Sequence, residues 1–269
     1  MQFSHLHNHS QFSLLDGASK ISSMFKKAKE DNMPAVAITD HGNMFGVFQF
    51  VAEAGKHGVK PIVGCEFYLV KDRHKQAFTK EQKDKRYHQL FLAKNPEGYQ
   101  NLVKLCSLGF MEGMYSKYPR IDKELVLKYH KGLIATTCCL GASVPQAILR
   151  SGEAEAEKEF KWWLDLFGED YYVEVQNHHI PEQQTVNEVL LRLAKKYNVK
   201  VIASNDSHYL DQKDANAHDI LLCINTGEKQ ATPTYKDIEG DSDMKGRRFA
   251  FYNDQFYFKT TEEMTQLWS

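Results

Sequence analysis

Six short segments of this sequence place metal-ligating side chains where strand-like runs begin or end. The first is His5-Leu6-His7-Asn8-His9, with Asp16 beyond it. Residues two apart in an extended chain share a face, so His7 and His9 present two imidazoles to one ion. His5 has the same parity but lies deeper in its run. Thr39-Asp40-His41-Gly42 then interrupts a buried run with two more ligand types, although Asp40 reads equally well as the cap of a following helix. Gly64-Cys65-Glu66 sits inside the apolar run 61–70. A carboxylate there is costly to bury unless a cation or hydrogen-bond donors meet it, and its two oxygens can bridge two ions, as an imidazole cannot. His88 stands beside the run 89–93. Cys138 and Cys139 follow the run 133–137. Adjacent side chains diverge, so only one of these thiolates, strong ligands for zinc and other borderline metals, is expected to ligate. Asp206-Ser207-His208 ends the last run with both ligand types on one face.

Taken singly, each cluster has a plain reading as surface histidine, helix cap or core thiol. Their coincidence points to metal-assisted hydrolysis, because most of them fall at the C-terminal ends of strand-like runs, where a βα barrel gathers its functional groups. The runs are residues 2–7, 35–39, 61–69, 89–93, 133–137, 171–175 and 200–204, mostly rich in β-branched or aromatic residues. His88 is the exception, since it precedes its run. Between the runs lie amphipathic stretches. Residues 19–31 place Ile21, Met24, Phe25 and Ala28 on one helical face, with Ser19 as the expected N-cap. Residues 45–57 group Phe45, Phe48, Val51 and Ala52, and 153–167 and 181–197 are the longest helical candidates, Pro181 suiting a first turn. About seven βα units and a parallel sheet follow, an α/β chain closing into a barrel. Residues 71–86 and 227–248 lack periodicity and read as long surface loops, the first with seven Lys/Arg against three Asp/Glu.

Bulk composition bounds the function further. The 269 residues suit a single α/β barrel domain. A 42% hydrophobic and 26% charged content is that of a globular chain. A net charge of -1 supplies no global basic field, so any nucleic-acid contact must rest on local patches. The N-terminus is not a signal peptide, and no run approaches the ~20 apolar residues of a membrane span. Five cysteines without a secretory signal indicate free thiols and a cytoplasmic setting.

These residues resemble the PHP family, named for polymerases and histidinol phosphatase: the H-x-H of LHNHS, TDHG at 39–42, the His88 region and NDSH at 205–208. More narrowly, the chain is similar throughout to the N-terminal PHP domains of bacterial DNA polymerase III alpha subunits. Stretches such as HLHNHSQFSLLDGA, MPAVAITDHGNMFG, GVKPIVGCEFYLV, KGLIATTCCLGA and NVKVIASNDSHYL carry the resemblance. It implies a distorted seven-stranded βα barrel holding two to three divalent ions (zinc, manganese or iron). Position by position it implies nine ligands, with His7, His9, Glu66 and Asp206 on one ion, Glu66, His88 and Cys139 on a second, and Asp16, His41 and His208 on a third. The implied reaction is 3′–5′ exonucleolytic hydrolysis of DNA by hydroxide generated on a metal, with His9 and Asp206 at the reacting centre and Arg120 and His178 as candidates for holding phosphate. It further implies an excised domain of a longer polymerase chain, with the remaining polymerase domains, a DNA 3′ end and a separate proofreading exonuclease subunit as partners. Two other activities stay open: a non-catalytic docking module stapled by metals, and a small-molecule phosphomonoesterase.

Overall fold

A computed structural model describes residues 2–79, 82–234 and 247–269. The β-branched and aromatic runs form strands because such side chains pack well on a pleated, half-buried surface. The strands are β1 (Ala35–Ile38), β2 (Lys60–Val70), β3 (Tyr87–Ala93), β4 (Arg120–Asp122), β5 (Leu133–Thr136), β6 (Tyr171–Gln176) and β7 (Lys200–Ser204). They make one curled sheet in the spatial order β1-β2-β3-β5-β6-β7, with β4 paired to β2 off that path. The N-terminal segment joins the two ends: Ala37 N donates to His5 O, Ser207 N to His7 O, and His9 N to Ser207 O. The result is the expected distorted seven-stranded α/β barrel.

Two expectations about its strands are corrected. Residues 2–7 are not a ladder strand but an extended seam, and the short Arg120–Asp122 segment supplies the seventh strand. The sheet is also not wholly parallel, because β3 runs antiparallel to both β2 and β5. That reversal explains His88. The start of an antiparallel strand lies at the same end of the barrel as the C-termini of its neighbours.

Nine helices surround the sheet among the described residues: α1 (Ile21–Glu30), α2 (Val47–His57), α3 (Pro96–Glu112), α4 (Lys123–Tyr129), α5 (Ser143–Ser151), α6 (Glu153–Phe167), α7 (Pro181–Tyr197), α8 (Ala215–Thr226) and α9 (Thr261–Leu267). Helix α1 buries Ile21, Met24, Phe25 and Ala28 as its periodicity requires, but Lys20 rather than Ser19 precedes its first turn, without a side-chain cap. The face assigned to α2 is also corrected. Val47, Phe50 and Ala54 are buried, whereas Phe48 is 88% exposed and Phe45 56%. Phe48 and Val51 instead border an apolar crevice of about 820 Å³ lined by Leu6, Val63, Leu92, Ile134, Tyr172 and Ile202. Helix α3 matches α7 in length at 17 residues and is capped by the Asn95 side chain, which accepts from Gly98 N.

One apolar cluster, with Phe67, Phe91, Leu105, Phe160 and Trp163, fills the space between the sheet and its helices, and a second, with Phe25, Ile38, Phe50 and Phe258, lies under α1 and α2. Each such buried side chain contributes about 1.5–3 kcal/mol relative to exposure.

Within the loop over 71–86, the described stretch around Arg73 is tied down rather than free. Buried Arg73 donates to Asp122 at 2.9 Å and to Glu112 at 2.7 Å. Most of 227–248 lies outside the described residues. Among the described residues no helix is long and apolar enough to cross a membrane.

Candidate metal centre

Seven segments deliver their ligand-type side chains to one end of the barrel. The seam brings His7 and His9, and the turn beyond it brings Asp16. His41 follows β1, Glu66 lies in β2, His88 begins β3, Cys139 follows β5, and Asp206 and His208 follow β7. Local geometry turns several of them inward. Gly42 takes a left-handed φ of 62°, reversing the chain after His41 where a Cβ would lie 2.9 Å from the Pro119 ring. Cys138 and Asp206 also hold positive φ, at 57° and 43°, a strained backbone of the kind that clusters at functional sites. Gly141 lets the His88 ring approach, since a Cβ there would sit 3.1 Å from it.

Glu66 is the hub. Its Oε2 lies 3.0 Å from His9 Nε2, 3.0 Å from His41 Nδ1 and 3.5 Å from His7 Nε2. Its Oε1 lies 2.8 Å from His88 Nδ1 and 3.4 Å from Cys139 Sγ. Asp206 Oδ1 stands 3.3 Å from His7 Nε2 and 3.2 Å from His9 Nε2. Asp16 Oδ2 meets His41 Nε2 at 2.6 Å and His208 Nε2 at 3.5 Å. All nine residues are therefore brought to one cluster, and Cys138 Sγ also stands 3.4 Å from Glu66 Oε1, so the two adjacent thiols converge there instead of diverging as expected.

Whether these atoms suit metal ions is tested by their hydrogen bonding. His7 Nε2, His9 Nε2, His41 Nδ1, Glu66 Oε2 and Asp206 Oδ1 are buried without a hydrogen-bond partner. Buried polar atoms are almost always satisfied, and five orphans facing one another are an arrangement that a shared cation would satisfy. Tetrahedral ligands about 2.0–2.2 Å from zinc lie roughly 3.3–3.6 Å apart, close to the contacts around Glu66 Oε2 and Asp206 Oδ1. The set of imidazole, carboxylate and thiolate fits a borderline divalent metal.

An outer layer fixes which nitrogen faces inward. His7 Nδ1 donates to Glu174 Oε1 at 2.7 Å, leaving Nε2 bare toward the cluster. Glu174 is otherwise satisfied by Thr136, Ser204 and Gln176. His9 Nδ1 donates to Ser13 Oγ at 2.9 Å, and Ser13 in turn donates to Asp40. Asp40 also accepts from Ser10 N and Ser10 Oγ. It therefore organises the first ligand loop instead of capping α2. His208 Nδ1 donates to Asp206 O. Glu174 was missed from the sequence, yet the signal was the one used for Glu66: a carboxylate inside an apolar strand.

Electrostatics follow from this crowding. Burial would raise the Glu66 carboxyl, but His88, His41 and His7 outweigh it and hold it well below the usual carboxylate range. Burial likewise opposes charge on His7, and Asp206, Glu174 and Glu66 overcome it, raising the imidazole. Of the two thiols, Cys139 is lowered by the hydrogen bond from Cys138 and by His88, against burial, while burial pushes Cys138 up. Cys139 is thus the better thiolate.

Arg120 and His178 are not at the centre. Arg120 is fully buried, and its guanidinium donates to Gly113 O, Asp84 Oδ1, Arg73 O and Lys75 O. It braces the 71–86 loop. His178 is buried and stacked on Phe256 at 3.8 Å, with Nε2 on Asn205 O and Nδ1 accepting from Gln183. Arg120 is sealed from solvent and His178 has both ring nitrogens engaged, so neither presents a donor to a phosphate in solvent. His5 is also structural, packed between Phe3 and Phe258 with Nε2 on Lys259 O.

Beside the cluster opens a cavity of about 700 Å³, with Asp16, His41, Tyr68 and His88 in its lining. Its size falls within the ~300–1,000 Å³ typical of ligand sites.

Residues 5–178 match the PHP domain family. The chain is 43% identical over 271 residues to the DNA polymerase III subunit alpha of Borreliella burgdorferi, covering 100% of this chain and 22% of that protein. It is 44% identical over 267 residues to that of Thermus aquaticus, covering 98% and 21%. The chain thus spans about a fifth of the length of these relatives. An amidohydrolase structure from Chromobacterium violaceum shares the fold, with a TM-score of 0.51 and 15% identity over 76% of this chain and 87% of that one.

Proposed function

The chain belongs to the PHP domain family, and from that premise we propose that it is a metal-dependent phosphoesterase domain of a cytoplasmic replicative DNA polymerase, removing nucleotides from a DNA 3′ end as a proofreading exonuclease. The observation that carries this reading is the set of five unpartnered buried atoms converging on Glu66 and Asp206. What sets them apart from other unpartnered buried atoms, such as Tyr171 Oη and Tyr209 Oη, is that they face one another at 3.0–3.5 Å.

In this reading His7, His9, Glu66 and Asp206 hold one ion, Glu66, His88 and Cys139 a second, and Asp16, His41 and His208 a third, two to three in all. When bound, zinc, manganese or iron supplies positive charge at the phosphate and a water of lowered pKa. The chain's own residues do the rest. Glu174 keeps the proton of His7 on Nδ1, and Ser13 keeps that of His9 on Nδ1, so both present Nε2 to the ions. Glu66 spans two groups with its separate oxygens. The cavity beside Asp16, His41 and His88 admits a phosphodiester from one side. No side-chain nucleophile is required.

The test is a 5′-labelled single-stranded DNA incubated with the purified chain in manganese and in chelator. The expected result is stepwise shortening from the 3′ end that chelator stops and that His9→Ala or Asp206→Asn abolishes with the fold retained. Hydrolysis of p-nitrophenyl phosphate without DNA shortening would turn the reading to a small-molecule phosphomonoesterase. Inactivity on both, with metal bound, would turn it to a metal-stapled docking module for the rest of the polymerase chain.

A further inference from the structure

The cavity beside the candidate metal cluster has a lining that the hydrolytic reading leaves partly without a role. It carries four cations from three separate parts of the chain: Lys85 and Arg86 before β3, Lys117 after α3, and Arg150 at the end of α5. The carboxylates on the same cavity offset them only in part, through the pairing of Asp84 with Arg86. Asp16 faces His41 within the cluster, and Asp84 is shared between the Arg120 and Arg86 guanidiniums at 3.0 and 2.6 Å. Lys85 and Arg150 are exposed and form no ion pair among the described residues, and Lys117 meets only neutral groups, the side chain and carbonyl of Asn225 and the Tyr118 ring at 5.8 Å.

Arg86 is held more firmly. Its guanidinium lies 3.8 Å over the Tyr118 ring, Tyr118 packs edge-on against Tyr68 at 5.0 Å, and Tyr68 stacks on the His41 imidazole at 5.9 Å. A planar fork with donors to spare is thereby fixed two rings from the cluster, the arrangement that suits bidentate phosphate recognition. The same cavity exposes aromatic rings: Phe45 is 56% exposed and Phe249 48%, and Phe45 lies 5.7 Å from Phe110. A cationic groove lined with exposed rings is the combination that binds unpaired nucleotides, with phosphates on the cations and bases on the rings.

We propose that Arg86, braced on Tyr118, acts with Lys85, Lys117 and Arg150 to hold the backbone phosphates of a single strand, while Phe45 and Phe249 stack its unpaired bases, so that this rim delivers a strand end to the metal centre. The proposal deepens the exonuclease reading and rests on it for the direction of delivery. It makes the rim, not the metals, the feature that selects an unpaired polynucleotide over duplex DNA or a small phosphate ester.

The test is fluorescence anisotropy with 5′-fluorescein-labelled oligothymidine, in chelator so that binding is read without turnover, titrated across salt. Each phosphate contact on a single strand contributes about 0.7 to the slope of log affinity against log salt. The triple variant Arg86→Gln, Lys117→Gln, Arg150→Gln is therefore expected to lower the slope by about 2. The charge-retaining triple Arg86→Lys, Lys117→Arg, Arg150→Lys is expected to keep it. Phe45→Ala with Phe249→Ala is expected to weaken binding roughly tenfold per stacked base at unchanged slope. A blunt hairpin duplex is expected to bind more weakly than the single strand. Unchanged slope and affinity in both variants, equal loss in the charge-retaining triple, or equal binding of the duplex would overturn the proposal. Intact rim-dependent binding without any hydrolysis in manganese would instead overturn the exonuclease reading and leave the rim standing.

Discussion

Glu66 and Glu174 are both carboxylates inside apolar strands, and both are buried in the barrel. Glu66 faces the ligand atoms directly, whereas Glu174 acts one layer out by holding His7 Nδ1. Partners of this kind tune a metal ligand's orientation and basicity, and their loss weakens metal affinity about 10–100-fold. Glu174→Gln is expected to lower zinc affinity by that amount, read by competition with a chelating dye, and unchanged affinity would contradict the role. His178 yields a second expectation. Burial lowers its pKa to about 4, against about 6.5 in an unfolded chain. Between those values the unfolded chain binds the extra proton, so the stability that neutral His178 contributes is present above pH ~6.5 and lost as pH falls toward ~4. The urea midpoint of wild type relative to His178→Gln should shrink across that window, and a constant difference would refute it. The ligand-type clusters were legible because their residue types recur beside strand-like runs, whereas the choice of nine positions within them came from the family resemblance. Arg120 and His178 misled because a polar residue type does not announce burial. Only the structure shows their donors and acceptors already taken by backbone and neighbouring side chains.

Strand direction was the feature of the elements that the sequence concealed. Alternation of side chains has the same period in parallel and antiparallel strands, so the reversal of β3 leaves no trace in its pattern. It nevertheless decides the site, because it brings His88 opposite Tyr68, two residues beyond Glu66. The short β4 was illegible for a related reason: three residues, two of them charged, carry no apolar run. The same strand supplies Arg120 and Asp122, the two anchors of the 71–86 loop. Removing one partner of a buried charge pair costs about 3–5 kcal/mol. Arg120→Met is therefore expected to lose stability on that order and to open the loop to protease, read by urea unfolding and by mapping the first cleavage. Equal stability and unchanged protease resistance would show that Arg120 is not the brace.

At the scale of the whole molecule, a net charge of -1 gives little long-range attraction for DNA. Contact must come from local features beside the cluster. On the proposed reading, a tether to a strand-holding domain would raise the effective concentration of a strand end to the millimolar range, which the isolated chain lacks. The isolated chain is accordingly expected to bind DNA weakly and to turn over slowly at low DNA concentration, with rates rising toward saturation as oligonucleotide is increased. A rate already saturated at nanomolar DNA would contradict this. The barrel class was legible from alternating strands and helices, while the exposed face of α2 was not, because Phe48 and Val51 border an open crevice that periodicity reads as core.

The most direct test of the multi-metal centre is anomalous diffraction from crystals of the chain grown with manganese or zinc. Two to three peaks are predicted within bonding distance of the nine side chains, two of them bridged by the separate oxygens of Glu66, with ligand distances of about 2.0–2.3 Å if the metal is zinc. A well-ordered structure from those crystals with no anomalous peak around Glu66 would contradict the account.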